Sequence, residues 1–336
     1  MPSLDYIFKH GITFFFPDGE FLPERVHHAE NCLATGLRDM GLPLYANVDH
    51  PLFRKREASE FRDGLLVINI TQKNAGDTLA RSIQQFKADY KFLLSISDTN
   101  CTTLTPKTIP SLMAHENRFM KFDGPRFPWQ FGLSAEMLAN AAGAPDFSQR
   151  QRILLRNFRP SGNQSVRDAL DLALVPHLEK SFRIDSEIDA GNHFARLKSH
   201  IGCLSYGGNF ARNPMRNPFY AQNPAYVEFN KHVTYLAEPF VLRWDSWRLW
   251  ESFASGCLTF QLDFEKYGLA LPVNPTPWVH YIPVDFSDPQ GTAEKLLQLE
   301  PHWRDIAEAG RRWAIDNYAP KPVAQRFLAL ACSIYS

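Results

Sequence analysis

Little in this sequence points toward a membrane, a polyanion or an oxidising compartment. Cysteine is scarce: Cys32, Cys101, Cys203, Cys257 and Cys332 are far apart, odd in number and form no CxxC pair. A disulfide framework or a structural zinc site is therefore not expected, and reduced thiols in the cytoplasm are. An excess of either charge is also missing, because 36 Lys and Arg balance 36 Asp and Glu. Bulk electrostatics then gives no pull toward nucleic acid or an anionic membrane. Long apolar runs are absent. The run Ile12–Phe16 is far shorter than the ~18 residues that suggest a membrane span, and no charged-then-apolar signal pattern surrounds it. Nor is there a GxxxxGK[ST], GxGxxG or GxSxG motif. P-loop, dehydrogenase and serine-hydrolase readings thus have no motif behind them.

What remains is a globular composition, 44% hydrophobic and 21% charged over 336 residues. That length exceeds what one hydrophobic core usually organises, so two domains are expected.

Along the chain, short apolar runs alternate with longer amphipathic segments. Tyr6–Phe16 predicts a strand, Glu24–Met40 a helix ended by Gly41, and Leu42–Asn47 a second strand. Gly64–Thr71 and Lys91–Ser97 are near-continuous apolar strands of the kind buried on both faces of a parallel sheet, with a helix over Thr78–Lys87 between them. Thr99–Gly132 is proline-rich and predicts irregular loops, followed by a short helix at Ser134–Ala142. The rhythm then restarts with strands at Arg152–Asn157 and Ile201–Ser205 and a helix at Ser165–Leu178. Strands at Phe240–Leu242, Leu258–Gln261 and Tyr281–Val284 follow, and a helical end, Thr292–Ala331, is broken near Pro320. Such repeated β-α-β units predict an α/β protein of two Rossmann-like domains, residues 1–147 and 148–336, facing a central cleft.

Three stretches carry candidate chemistry. In Arg243–Asp263, Ser246 predicts an N-cap, Leu249, Phe253 and Ala254 an inward helix face, and Gly256 the helix end. Glu251 in that helix is either a solvated or salt-bridged surface glutamate, or a carboxylate placed to accept from the two hydroxyls of a ribose. Arg156, Arg159 and Arg167 surround a strand–loop–helix junction closed by Ser165. It is either an ordinary junction or an anion site at a helix N-terminus. Tyr206 and Gly207 follow a strand, as a tight turn or as a close backbone approach to a ligand. In the first half, Asp18, His28 and Asp98 stand at strand ends or at the start of a helix. They are the candidates for a general base. The pair His27-His28 lacks a well-spaced third ligand, so no metal is expected.

The run Glu251-Ser-Phe-Ala-Ser-Gly256-Cys-Leu-Thr-Phe resembles the E-A-x-A-x-G-x-P-V-I segment of glycosyltransferases with the two-Rossmann, GT-B architecture. It is similar to their group-1-like branch, including exostosin-like and spore-coat-protein-like members, in which Ser-x-Arg-x-x-Glu-x-x-x-x-Gly-Cys recurs. The downstream Trp303–Tyr318 is similar to their closing helix. The resemblance covers about the last 100 residues. It implies transfer of a sugar from a nucleoside-diphosphate sugar to an acceptor hydroxyl, with no cofactor or essential metal. The acceptor would be carbohydrate, lipid-linked or protein. Glu251 would hold the donor ribose, and the helix start at Ser246, with Arg248, the diphosphate. Where relatives carry an earlier glutamate, Arg243 stands instead; an arginine there can reach phosphate oxygens. The alternative is a binding module that kept this fold without the chemistry.

Overall fold

A computed structural model describes residues 2–22, 27–70, 83, 86–88, 90–95, 108–122, 125–156, 158, 166–188, 191–211, 233–235 and 240–335. The first half contains α1 (Leu4–His10), β1 (Ile12–Phe15), α2 (His28–Asp39), β2 (Leu44–Ala46), β3 (Arg54–Lys55) and β4 (Leu65–Ile70). It continues through β5 (Tyr90–Ser95), β6 (Ser111–Met113), β7 (Met120–Phe122), β8 (Arg126–Pro128) and α3 (Ala135–Ala141). Seven of these strands form one sheet in the order β3-β2-β1-β4-β5-β6-β8. Every pairing in that sheet is parallel. The wholly buried β4 matches its apolar sequence. Strand order reverses between β1 and β4, so the crevice of this sheet lies beyond their carboxyl ends, where α2 begins.

The second half contains β9 (Gln151–Leu155), α4 (Val166–Ala173), α5 (Val175–Leu178), β10 (Arg183–Asp185), α6 (His193–Ser199) and β11 (His200–Leu204). After these come β12 (Asn209–Ala211), β13 (Val233–Tyr235), β14 (Phe240–Leu242), α7 (Trp247–Ala254), β15 (Leu258–Leu262) and β16 (Ile282–Val284). The chain finishes with α8 (Pro289–Gln298), α9 (Trp303–Tyr318) and α10 (Pro320–Ile334). Its sheet runs β10-β9-β11-β15-β16, again all parallel, and reverses between β9 and β11. The two switch points are the places where an α/β fold binds ligands.

Two expectations are corrected. The strand over Tyr6–Phe16 is a helix followed by a strand. Ser3 Oγ accepts from the Tyr6 amide at 3.1 Å, and Gly11, at φ +79°, ends the helix. Local capping here outweighs the β preference of Tyr6 and Phe8. The irregular region Thr99–Gly132 contains three short strands, two of which extend the first sheet. Most of the helix expected at Thr78–Lys87 lies outside the described residues, as do Asp98 and Arg159.

The halves are stitched together. Trp244 Nε1 donates to the Glu116 carbonyl at 3.0 Å, as does the Ala270 amide at 3.1 Å. The Asp245 amide donates to His115 Nδ1 at 3.0 Å, and the Phe131 amide donates to Asp245 Oδ2 at 2.9 Å. Helix α10 crosses back onto α2. There Gly36 permits the contact, because a Cβ would stand 1.9 Å from the Pro320 carbonyl oxygen.

Candidate functional site

Helix α7 is the centre of the site. Ser246 occupies its N-cap position, as expected, but makes no side-chain cap; its Oγ lies 3.5 Å from the Ser205 carbonyl oxygen instead. The first turn contains no acidic residue. The opening amides of α7 therefore have neither a hydroxyl cap nor an anionic neighbour within the helix, an arrangement suited to an anion. Just upstream, Arg243 holds a left-handed φ of +56°, a conformation that non-glycine residues rarely adopt. Asp245 is buried and accepts from Trp250 Nε1 at 2.7 Å as well as from Phe131. Burial pushes its carboxyl up to about 6, although His115 pulls it partly back.

Glu251 sits one turn into α7 with its side chain 16% exposed. His193 Nε2 lies 2.8 Å from Glu251 Oε2; the imidazole N–H donates and the carboxylate accepts. That contact uses one carboxylate oxygen. Across from it stands His28, the first residue of α2, whose ring centroid is 6.0 Å from that of Trp247. His28 Nε2 donates to the Gly132 carbonyl at 3.1 Å. A carbonyl can only accept, so the proton is on Nε2 and Nδ1 carries the lone pair. Burial lowers the pKa of His28, with partial opposition from the Gly132 hydrogen bond and the Glu251 charge. The imidazole is thus neutral at neutral pH. Glu251, His193, His28 and Trp247 come together from both halves of the chain.

A second group surrounds Phe158 at the β9–β11 switch. Arg156 lies over the Phe158 ring at 4.4 Å and Arg167 at 5.3 Å. Tyr206 packs on the same ring at 5.5 Å, and a Cβ on Gly207 would meet Arg167 Nη2 at 3.4 Å. One of these expected ligands is otherwise engaged and another is buried in the core. Arg156 forms a two-point ion pair with Asp171, one arm at 2.8 Å, so its fork already holds a carboxylate. Tyr206 is fully buried, and its hydroxyl has no hydrogen-bond partner among the described residues. Arg167 and Arg248 are half-buried.

Asp18 is exposed on the turn after β1, and its charge acts on His27, the residue before His28. His27 itself is committed, its Nδ1 accepting from the Leu22 amide at 2.9 Å. Two residues beyond His28, Glu30 is fully buried and accepts from the Asn69 amide. Burial pushes the Glu30 carboxyl well above the usual carboxylate range. Among the described residues, no three His, Cys, Asp or Glu side chains converge as a metal site would require. Sequence reasoning missed His193. The hint the sequence carries is the His-Phe-Ala-Arg-Leu run of α6.

No family model matches the chain, and no curated protein does. Solved structures do. An α-glucosyltransferase in complex with UDP and a 13-mer DNA containing an HMU base superposes with a TM-score of 0.52 at 11% identity, over 96% of this chain and 99% of that one. An α-glucosyltransferase in complex with UDP-glucose and DNA containing an abasic site gives 0.51 at 10% identity, over the same shares of both chains. At such identity the likeness establishes the architecture: the chain has the GT-B fold, two Rossmann-like α/β domains.

Proposed function

We propose that this chain is a glycosyltransferase that moves a sugar from a nucleoside-diphosphate sugar to an acceptor hydroxyl, without an essential metal. The observation that carries the proposal is α7 itself. One short helix combines an N-terminus free of a side-chain cap with a carboxylate, Glu251, that has one oxygen held and one open for a ligand. The opening amides of α7 and the Arg248 guanidinium suit a diphosphate, with Arg167 nearby on the β9–β11 switch. Glu251 Oε1 suits a ribose hydroxyl. As the glycosidic bond to the leaving diphosphate breaks, its growing negative charge is stabilised by these amides and arginines. His28 takes the acceptor proton at Nδ1.

Residues 1–147 then serve the acceptor and 148–336 the donor, with α10 returning to brace the first segment. The Gly256-Cys257 step after Glu251 supports the exostosin-like or spore-coat-protein-like branch. The two α-glucosyltransferase structures contain DNA. Here the balanced charge supports a carbohydrate, lipid-linked or protein acceptor. Among the described residues the thiols of Cys32, Cys203 and Cys257 form no disulfide, in keeping with the cytoplasm.

The test is thermal shift with UDP, GDP and ADP, followed by hydrolysis of the matching sugar donor. A nucleoside diphosphate at about 100 times its Kd should stabilise the fold by about 2.7 kcal/mol. Glu251→Ala should abolish both that shift and hydrolysis. Binding without turnover on any donor or acceptor would identify a binding module, and no shift with any nucleotide would overturn the proposal.

A further inference from the structure

We infer that His193 is the positioning residue that makes this site selective for ribonucleotides over 2′-deoxyribonucleotides. The inference rests on the donor site proposed above. A glutamate side chain has three rotatable bonds, and a half-buried one gains a fixed direction only from a partner. His193 supplies that partner. Its N–H binds Glu251 Oε2 at 2.8 Å, and the two side chains are 12% and 16% exposed. Oε1 makes no hydrogen bond to the described residues, so the bound rotamer leaves one acceptor atom for a ligand hydroxyl.

His193 is in turn placed with care. It is the first residue of α6, and α6 is pinned at three points. Arg196 pairs with Asp185 at 2.9 Å through Nε, and His200 Nε2 donates to Asp185 Oδ2 at 2.9 Å. On the opposite side the Cys257 thiol, just past the end of α7, donates to the Leu197 carbonyl at 3.1 Å. The helix bearing the histidine and the helix bearing the glutamate are therefore fixed to each other independently of the His193–Glu251 bond. Removing the imidazole releases the carboxylate without releasing the helices.

One open carboxylate oxygen in a set direction has two lone pairs and can accept from both hydroxyls of a ribose diol, of which a 2′-deoxyribose has lost one. A hydrogen bond to a charged acceptor is worth about tenfold or more in affinity, so ribose selectivity should depend on how well Glu251 is held. The experiment compares Kd for UDP and 2′-deoxy-UDP, or the corresponding guanosine pair if GDP is the nucleotide bound. The proteins are wild type, His193→Phe and His193→Gln. Phenylalanine keeps the ring volume without a donor, and the glutamine amide nitrogen reaches about as far as Nε2. The wild type should prefer the ribonucleotide by about tenfold. His193→Phe should lose most of that preference, and His193→Gln should restore it. Should His193→Phe bind UDP with the full preference, His193 is not the positioning residue, whatever the fate of the donor site. Should the wild type bind no nucleotide, the donor site itself fails.

Discussion

Arg150 closes the end of the helix that carries Glu251, donating through Nη1 to the Gly256 carbonyl oxygen at 2.9 Å. Its Nη2 donates to the Ser255 carbonyl at 2.8 Å, and Arg311 Nε reaches the Ala254 carbonyl at 3.0 Å. Two cations thus sit where the α7 macrodipole is negative, on carbonyls that the helix cannot satisfy itself. Arg150→Ala should cost about 2–3 kcal/mol, seen as a lower denaturant midpoint in equilibrium unfolding. Arg150→Lys should recover only part, because one ammonium cannot span both carbonyls in the plane of a guanidinium. An unchanged midpoint for Arg150→Ala would show that water replaces the cap at no cost.

The α6 platform predicts an acid dependence. Burial pushes the Asp185 carboxyl up, but hydrogen bonds from Arg196 and His200 outweigh it and hold it at about 2, against an ordinary 3.8. A depressed carboxylate contributes its full stability above the unfolded value. It loses that contribution as pH falls from about 4 toward 2. Asp185→Asn should therefore be less stable than wild type at pH 7, and the gap should close across that interval. The check is urea unfolding at stepped pH; parallel profiles for the two proteins would contradict the coupling.

Much of the donor half could be read in the sequence, because its signals are local. Leu249, Phe253 and Gly256 define a helix and its end within a dozen residues, and the structure places α7 there. The buried run of β4 is equally direct. What escaped depended on distant partners or on few residues. β6, β7 and β8 have three residues each, too few for a pattern, and proline lies beside or within two of them. Arg156 reads as a phosphate ligand in the sequence, but Asp171, 15 residues further on, holds its guanidinium. His193 lies 58 residues from Glu251 and begins a helix whose preceding residue offers no side-chain cap. Nothing local marks either contact.

Gly36 predicts a packing limit at the α2–α10 crossing. A Cβ there would stand 1.9 Å from the Pro320 carbonyl oxygen and 2.4 Å from its carbon, both backbone atoms that cannot rotate away. Gly36→Ala must part the two helices and should cost more than about 3 kcal/mol, or leave no folded protein. Gly143 supplies the contrast. It has φ +69° with open space around it, so Gly143→Ala should cost only about 1 kcal/mol of backbone strain. Measured unfolding free energies of similar size would refute the steric account.

His28 carries the sharpest kinetic prediction. Its Nε2 proton is committed to Gly132, which leaves Nδ1 as the basic atom. Burial lowers its pKa below the ordinary 6.5, and the nearby Glu251 carboxylate only partly restores it. The neutral, competent form therefore persists on the acid side of pH 6.5. The acid limb of kcat/KM should fall below that value, with activity lost as pH drops through the lowered pKa. His28→Gln retains an N–H for Gly132 but has no basic nitrogen. It should lower kcat at least about 100-fold, and the acid limb should disappear. Nucleotide affinity should hold, since the donor contacts lie on α7 and not on α2. A His28→Gln enzyme with wild-type kcat and an intact acid limb would move the base to another residue. A weakened nucleotide affinity in the same variant would instead make His28 a structural partner of Trp247.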